Sequence, residues 1–183
     1  DGKEQGIMKV KVWKAKLVDG LKKVSAAVGS KERLNILSGV RIEAKNGLAP
    51  GAVEDEEFDR IELTATDGTM QIKALVPCVA EEYGAACLPD KFLQAFAEAL
   101  PDGEVKIETN DKGTKAKISG GECKYSLMAF EEQNFPVMAG PKTDKGAYVF
   151  ANPYSGFLTG LNQAEAMPEV KTNAASVKVF TTL

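Results

Sequence analysis

Histidine is absent from all 183 residues. That single gap removes Ser-His-Asp and Cys-His catalysis, histidine-ligated zinc and the usual proton shuttle near neutral pH. Cysteine is scarce: Cys78, Cys87 and Cys123 are odd in number, form no C-x-x-C pair and sit in or beside apolar runs. They read as buried or free thiols in a reducing compartment rather than as a disulfide frame. No apolar run approaches the roughly 18 residues of a membrane span, and the opening DGKEQGI lacks the apolar core of a secretory signal. A soluble, cytoplasmic protein is the expectation. Neither G-x-x-x-x-G-K-[ST] nor a convincing G-x-G-x-x-G occurs, so no phosphate-cradling loop is expected.

Charge is present but unevenly placed. The net charge is −3, yet residues 1–33 carry nine Lys/Arg against four Asp/Glu, leaving −8 on the remainder. EDEEFD, Glu54 to Asp59, reads as an acidic surface loop. A local basic face can hold a polyanion even on an acidic molecule, although it can equally be plain solvated surface.

Periodicity divides the chain. MKVKVW (Met8 to Trp13) alternates as a strand does, and KAKLVDGLKKVSAAVG then repeats Leu17, Leu21, Val24 and Val28 at helical spacing, with Gly29 as a stop. Gly20 weakens that helix by roughly 1 kcal/mol relative to Ala. Lys14, Lys16, Lys22 and Lys23 fall on its opposite face. A strand closing at Asn46-Gly47 follows, then two strands joined at Asp67-Gly68, which predicts a two-residue hairpin turn using positive φ. That turn explains Asp67 better than a catalytic acid does.

The same order recurs. GAACLPD predicts a short strand ending in Asp90 as helix N-cap. KFLQAFAEAL follows with Phe92, Phe96 and Leu100 on one face, and EVKIETN, TKAKISG and CKYSLMAF supply three strands. Trp13 and the phenylalanines are expected in the core. A third copy begins after the Pro/Gly-rich NFPVMAGPKTDKG: AYVFANP as a strand, YSGFLTGLNQAEAM as a helix, SVKVFTTL as a strand. A repeat of roughly 60 to 70 residues implies sheets and helices stacked across copies, an α+β class.

In order and spacing, MKVKV, LVDGLKKVSAAV, VGSKERLNILSGVRIEA, IELTATDGTMQIKALVP, CLPDKFLQAFAEALPDGEVKIE and KYSLMAFEEQNFPVM resemble the bacterial sliding clamp, the β subunit of DNA polymerase III. The resemblance implies a DNA clamp fold of repeated β-α-β-β-β half-domains. Residues 8–138 would be clamp domain I, with halves at about 8–80 and 85–130. Residues 139–146 would be a linker and 147–183 the start of domain II. It implies a non-catalytic processivity factor that encircles duplex DNA without sequence specificity, with no cofactor and no metal. Its implied partners are the phosphate backbone of double-stranded DNA, other copies in a ring, and, in the full-length protein, the replicative polymerase and clamp loader. The sequence is expected to be a piece of a longer clamp, or else a short clamp-like chain that assembles from several copies. Lys31 matches the basic residue of the family's DNA-contacting loop, with Arg33 nearby; Lys16, Lys22 and Lys23 lie on the first helix. Asn35 replaces a proline of the family pattern, and Asp19 and Glu98 put acid where basic residues would face the channel. These departures keep a second reading open, a clamp-like protein-interaction module that does not bind DNA.

Overall fold

The computed structural model describes residues 7–29, 36–47, 58–138, 169–171 and 176–178. The chain divides into two compact units, Asp1–Met138 and Ala139–Leu183. In the first, the order is β1 (Lys9–Trp13), α1 (Lys14–Ser25), β2 (Gly39–Lys45), β3 (Arg60–Thr66), β4 (Gln71–Pro77), β5 (Val79–Glu82), β6 (Ala85–Pro89), α2 (Asp90–Ala99), β7 (Glu104–Thr109), β8 (Lys115–Gly120) and β9 (Cys123–Met128). In the second, β10 (Glu169–Lys171) and β11 (Ser176–Lys178) form an antiparallel pair with Glu169 opposite Lys178. The expected strand AYVFANP, the helix over YSGFLTGLNQAEAM, the 139–146 linker and most of the acidic loop lie outside the described residues.

The strands of the first unit make two antiparallel sheets, β5-β1-β7-β8-β9 and β4-β3-β2-β6. Each half lends its first strand to the other half's sheet. β1 pairs with β7, Val10 opposite Ile107, while β6 pairs with β2, Leu88 opposite Val40. Alternation decides which face is buried: Val10 and Val12 on β1, Val105 and Ile107 on β7, and Ala116 and Ile118 on β8 point inward, with lysines between them. On β3, Ile61, Leu63 and Ala65 are fully buried, and burying an Ile or Leu side chain stabilises by about 1.5–3 kcal/mol.

Helix α1 packs its Leu17, Gly20, Leu21 and Val24 face over β3 and β4. Its N-cap position is Trp13, which offers no side-chain cap, and the first amide instead donates to the Gly103 carbonyl at 2.9 Å. Gly20 has a positive reason to be there. A Cβ at that position would stand 2.6 Å from Val76 Cγ2 and 2.9 Å from Leu63 Cδ1, so the missing side chain lets the helix approach the sheet.

Several expectations need correction. Asp90 is the first residue of α2 and does not cap it, because Pro89 holds the cap position. The buried face of α2 is Leu93, Ala97 and the following Leu100. Phe92 is exposed, and Phe96 stands half-buried, stacked on Tyr125 with ring centroids 4.4 Å apart. Trp13 is 67% exposed rather than in the core. The Asp67-Gly68 loop runs through Met70, and only Gly68 has positive φ. Asp67 Oδ1 accepts from the amides of Thr69 (2.8 Å) and Met70 (2.9 Å) and from the Thr69 hydroxyl. Those bonds, the Met70 amide foremost, hold its carboxyl down at about 2, which fits turn chemistry. Strand β5 is an additional element that the sequence pattern did not separate from β4.

After β9 the chain doubles back along the outer side of the four-stranded sheet. The Phe130 amide donates to the Cys87 carbonyl (2.8 Å), Arg41 Nε to Glu132 Oε1 (2.5 Å) and the Met138 amide to Gln71 Oε1 (2.8 Å). Beneath this strap, Arg41, Glu43, Lys45, Glu62 and Lys73 form one linked ion-pair network across β2, β3 and β4.

Candidate nucleic-acid interface

The outward face of α1 follows from its buried one. With Leu17, Gly20, Leu21 and Val24 against the sheet, the 3.6-residue repeat turns Asp19, Lys22 and Lys23 away from it and leaves Lys16 on the flank. All four are exposed. Two of the three lysines are engaged. Lys23 Nζ bonds Asp19 Oδ2 at 2.7 Å, one turn away, and Lys22 Nζ lies 3.6 Å from Glu98 Oε1 on α2. The hydrogen bond from Lys23 holds the Asp19 carboxyl below its usual range, helped by the fields of Lys23, Lys16 and Lys22. Lys16 makes no ion pair among the described residues.

The two helices run antiparallel. The end of α1 meets the start of α2 through Ser25 Oγ, which donates to Asp90 Oδ2 at 3.2 Å, and Lys22 reaches Glu98 farther along. Asp90 is buried and also accepts from Gln94 Nε2 at 2.8 Å. Lys14 does not belong to the outward face: its ammonium donates to the Leu100 carbonyl (2.5 Å) and pairs with Asp102 (3.2 Å), closing the far end of α2. Together the helices present a surface with more lysine than carboxylate, interrupted by Asp19 and Glu98. Exposed pairs of this kind are weak and exchange readily for other anions.

The structure therefore brings Lys16, Lys22 and Lys23 onto one helix, while Lys31, Arg33 and Asn35 lie outside the described residues. Lys91, exposed in the first turn of α2, adds a cation that the sequence reading passed over. Its signal was helical spacing from Leu93 and Ala97, obscured by choosing the phenylalanines as the buried stripe. Among the described residues no group of three or more His, Cys, Asp or Glu could hold a metal ion, and no helix is long and apolar enough to cross a membrane.

The family described as DNA polymerase III beta subunit, N-terminal domain, matches residues 8–139. The chain belongs to that family. A beta sliding clamp from Chlamydia pneumoniae is 25% identical over 131 residues, 72% of this chain and 32% of that protein. A beta sliding clamp structure from C. crescentus superposes with a TM-score of 0.63 at 25% identity, covering 74% of this chain and 33% of that one. A DNA polymerase III beta subunit from Thermotoga maritima, at 24% identity and a TM-score of 0.61 over 74% of this chain and 33% of its own, shares the fold. The chain spans about a third of the length of these relatives. The two helices and two antiparallel sheets of residues 8–138 fall within the matched region.

A second surface of this beta-subunit domain lies at the β9 edge. Strand β9 pairs only with β8 among the described residues. Beside it an open groove of about 500 Å³ is lined by Phe92, Phe96, Met128 and Phe130 among others, and Met128 is 64% exposed.

Proposed function

We propose that this chain supplies the first clamp domain of a cytoplasmic ring that encircles duplex DNA and tethers a replicative polymerase to it. The observation that carries the reading is the antiparallel helix pair with Lys22 and Lys23 on its outward face and Lys16 at its flank. Phosphate attraction through lysine is independent of base sequence, so a duplex can move along such a face without breaking a specific contact. Lysine suits this, being a mobile point charge on a flexible stem. Lys31 and Arg33 extend the same basic segment in sequence. Nothing in this role requires a catalytic group; polymerase and clamp loader would be partners of the full-length ring.

Ring closure needs a self-association surface, and the β9 edge with its apolar groove fits a second clamp domain. An edge strand offers unpaired backbone groups to a partner strand, and the groove offers area to bury. A protein-interaction module without DNA binding is the alternative, favoured by the Asp19–Lys23 and Glu98–Lys22 pairs, which neutralise part of the helix face.

Retention of the full-length protein on closed circular DNA separates the two. The clamp reading expects retention that is lost when the circle is cut, and weaker loading for a Lys16→Gln/Lys22→Gln/Lys23→Gln variant. Retention indifferent to linearisation and to salt would sink it.

A further inference from the structure

The two sheets of the domain treat their outward charges differently. On the four-stranded sheet every outward cation of the network has a carboxylate: Arg41 with Glu43 and Glu132, Lys45 with Glu43 and Glu62, Lys73 with Glu62. The five-stranded sheet has a surplus. Its outward face carries Lys9 and Lys11, which share Glu81 (2.7 and 2.9 Å), Lys106, which pairs with Glu108 (3.0 Å), and Glu104 near Lys11. That leaves Lys115 and Lys117 on β8 and Lys124 on β9, all exposed and without an ion pair among the described residues.

Register puts these three on one surface. Lys117 opposes Ser126 and Lys124 opposes Ser119, so Lys117 and Lys124 are diagonal neighbours, about 7–8 Å apart at the backbone. Lys115, two residues before Lys117, lies on the same face at about 6.8 Å. Lys106 opposes Ser119 and continues the array on β7. Between the lysines stand the hydroxyls of Ser119 and Ser126, with Glu108, the partner of Lys106, opposite Lys117 and Met128 opposite Lys115 at the border. The opposite face of these strands is the buried one, with Val105, Ile107, Ala116 and Ile118 in the core and Tyr125 against Phe96 of α2.

We propose that the outward face of the five-stranded sheet, centred on Lys115, Lys117 and Lys124, is a second anion-binding surface that takes the phosphate backbone of nucleic acid. The charge surplus selects a polyanion, and the neutralised sister sheet shows that the fold does not require the surplus. The chemistry between the charges selects the class. A docked polypeptide draws affinity from apolar anchors in pockets or from main-chain pairing at a sheet edge; the β9 edge borders this face, but between Lys115, Lys117 and Lys124 the surface carries serines rather than an apolar pocket. Dispersed lysines with serine donors between them are what a phosphate backbone uses. Because the face looks away from the helices, nucleic acid here is not the duplex that faces Lys16, Lys22 and Lys23. The surface would hold a second segment, for example a single strand outside a ring.

The test is fluorescence anisotropy of a labelled single-stranded oligonucleotide with the 183-residue chain over a salt series. The Lys115→Gln/Lys117→Gln/Lys124→Gln variant is expected to bind at least about ten-fold more weakly at low salt. Its log–log salt slope should fall by about 2, since each lost phosphate contact on a single strand removes about 0.7. The Lys→Arg triple should restore binding, which separates charge from folding. A Lys16→Gln/Lys22→Gln/Lys23→Gln variant should keep the contribution of the sheet, so the helix face and the sheet face fail independently. Unchanged affinity and slope in the sheet variant would overturn the proposal. Displacement of the oligonucleotide by polyglutamate as readily as by unlabelled nucleic acid would overturn the assignment to phosphate.

Discussion

Ser25 at the end of α1 donates its hydroxyl to Asp90 at the start of α2, and the receiving carboxylate is almost wholly shielded from water. The two helices that form the proposed DNA-facing surface are thus fixed to each other at one end by a buried acceptor. Replacing Asp90 by Ala strands the Ser25 hydroxyl and the Gln94 amide, and losing such buried partners costs about 1–3 kcal/mol. A Tm lower by several degrees is the expected result. Ser25→Ala should cost less, because the Gln94 bond to Asp90 survives.

Gly20 inverts the usual helix rule. At a solvent-facing position Gly→Ala would stabilise by up to about 1 kcal/mol. At this contact the added methyl meets Val76 and Leu63, and overpacking of that kind costs about 1–3 kcal/mol. Urea unfolding should therefore show Gly20→Ala as destabilising. Gly20→Ala with Val76→Ala should recover part of the loss that the two single changes would sum to.

Acid should loosen the four-stranded sheet through its ion network. Burial alone would raise the Glu43 carboxyl, but hydrogen bonds from Arg41 and Lys45 more than offset it and hold it at about 2. Glu62 is likewise lowered, its burial outweighed by Lys73 and Lys45. Carboxylates depressed on folding contribute stability that is present above their unfolded range near 4.5 and is lost as pH falls through the folded value. Stability should decline between about pH 5 and pH 2, and Glu43→Gln should flatten that decline. A pH series of thermal midpoints reads both.

Glu98 restrains the proposed interface. It lies 3.6 Å from Lys22, with both side chains more than half exposed. Glu98→Gln should free that lysine for phosphate and tighten duplex binding at low salt. The salt slope should steepen by about 0.9 if one contact is gained. An unchanged slope would place Lys22 away from the DNA.

Most of the architecture was written in period and punctuation. Lysines alternating with Val10 and Val12 in β1 and with Ala116 and Ile118 in β8 marked those strands, and the Leu17–Leu21–Val24 spacing marked α1, because a half-buried element must show its periodicity. Three misreadings share a cause in tertiary context. Phe92 looked like core because it is large and apolar, yet the groove beside β9 leaves it exposed, and the smaller Ala97 takes the tight position. Asp90 looked like a cap because its type favours that place, but the neighbouring helix offered Ser25. Strand β5 carries little alternation of its own; it exists because β1 presents an open edge, and Lys9 and Lys11 capture Glu81 there. The basic face of α1 was legible as a row of lysines. Their pairing with Asp19 and Glu98 depended on side-chain reach and on a second helix that no local pattern specifies.

The exchange of first strands between the two halves also sets a timetable. The Met8 amide bonds the Thr109 hydroxyl across 101 positions of sequence. During synthesis β1 therefore waits, with one long edge unpaired, until β7 has left the ribosome. Non-local pairing of this kind slows folding and leaves an aggregation-prone edge in the interval. A chain cut between β5 and β6 would leave neither fragment with a complete sheet, yet the two pieces should recombine when mixed.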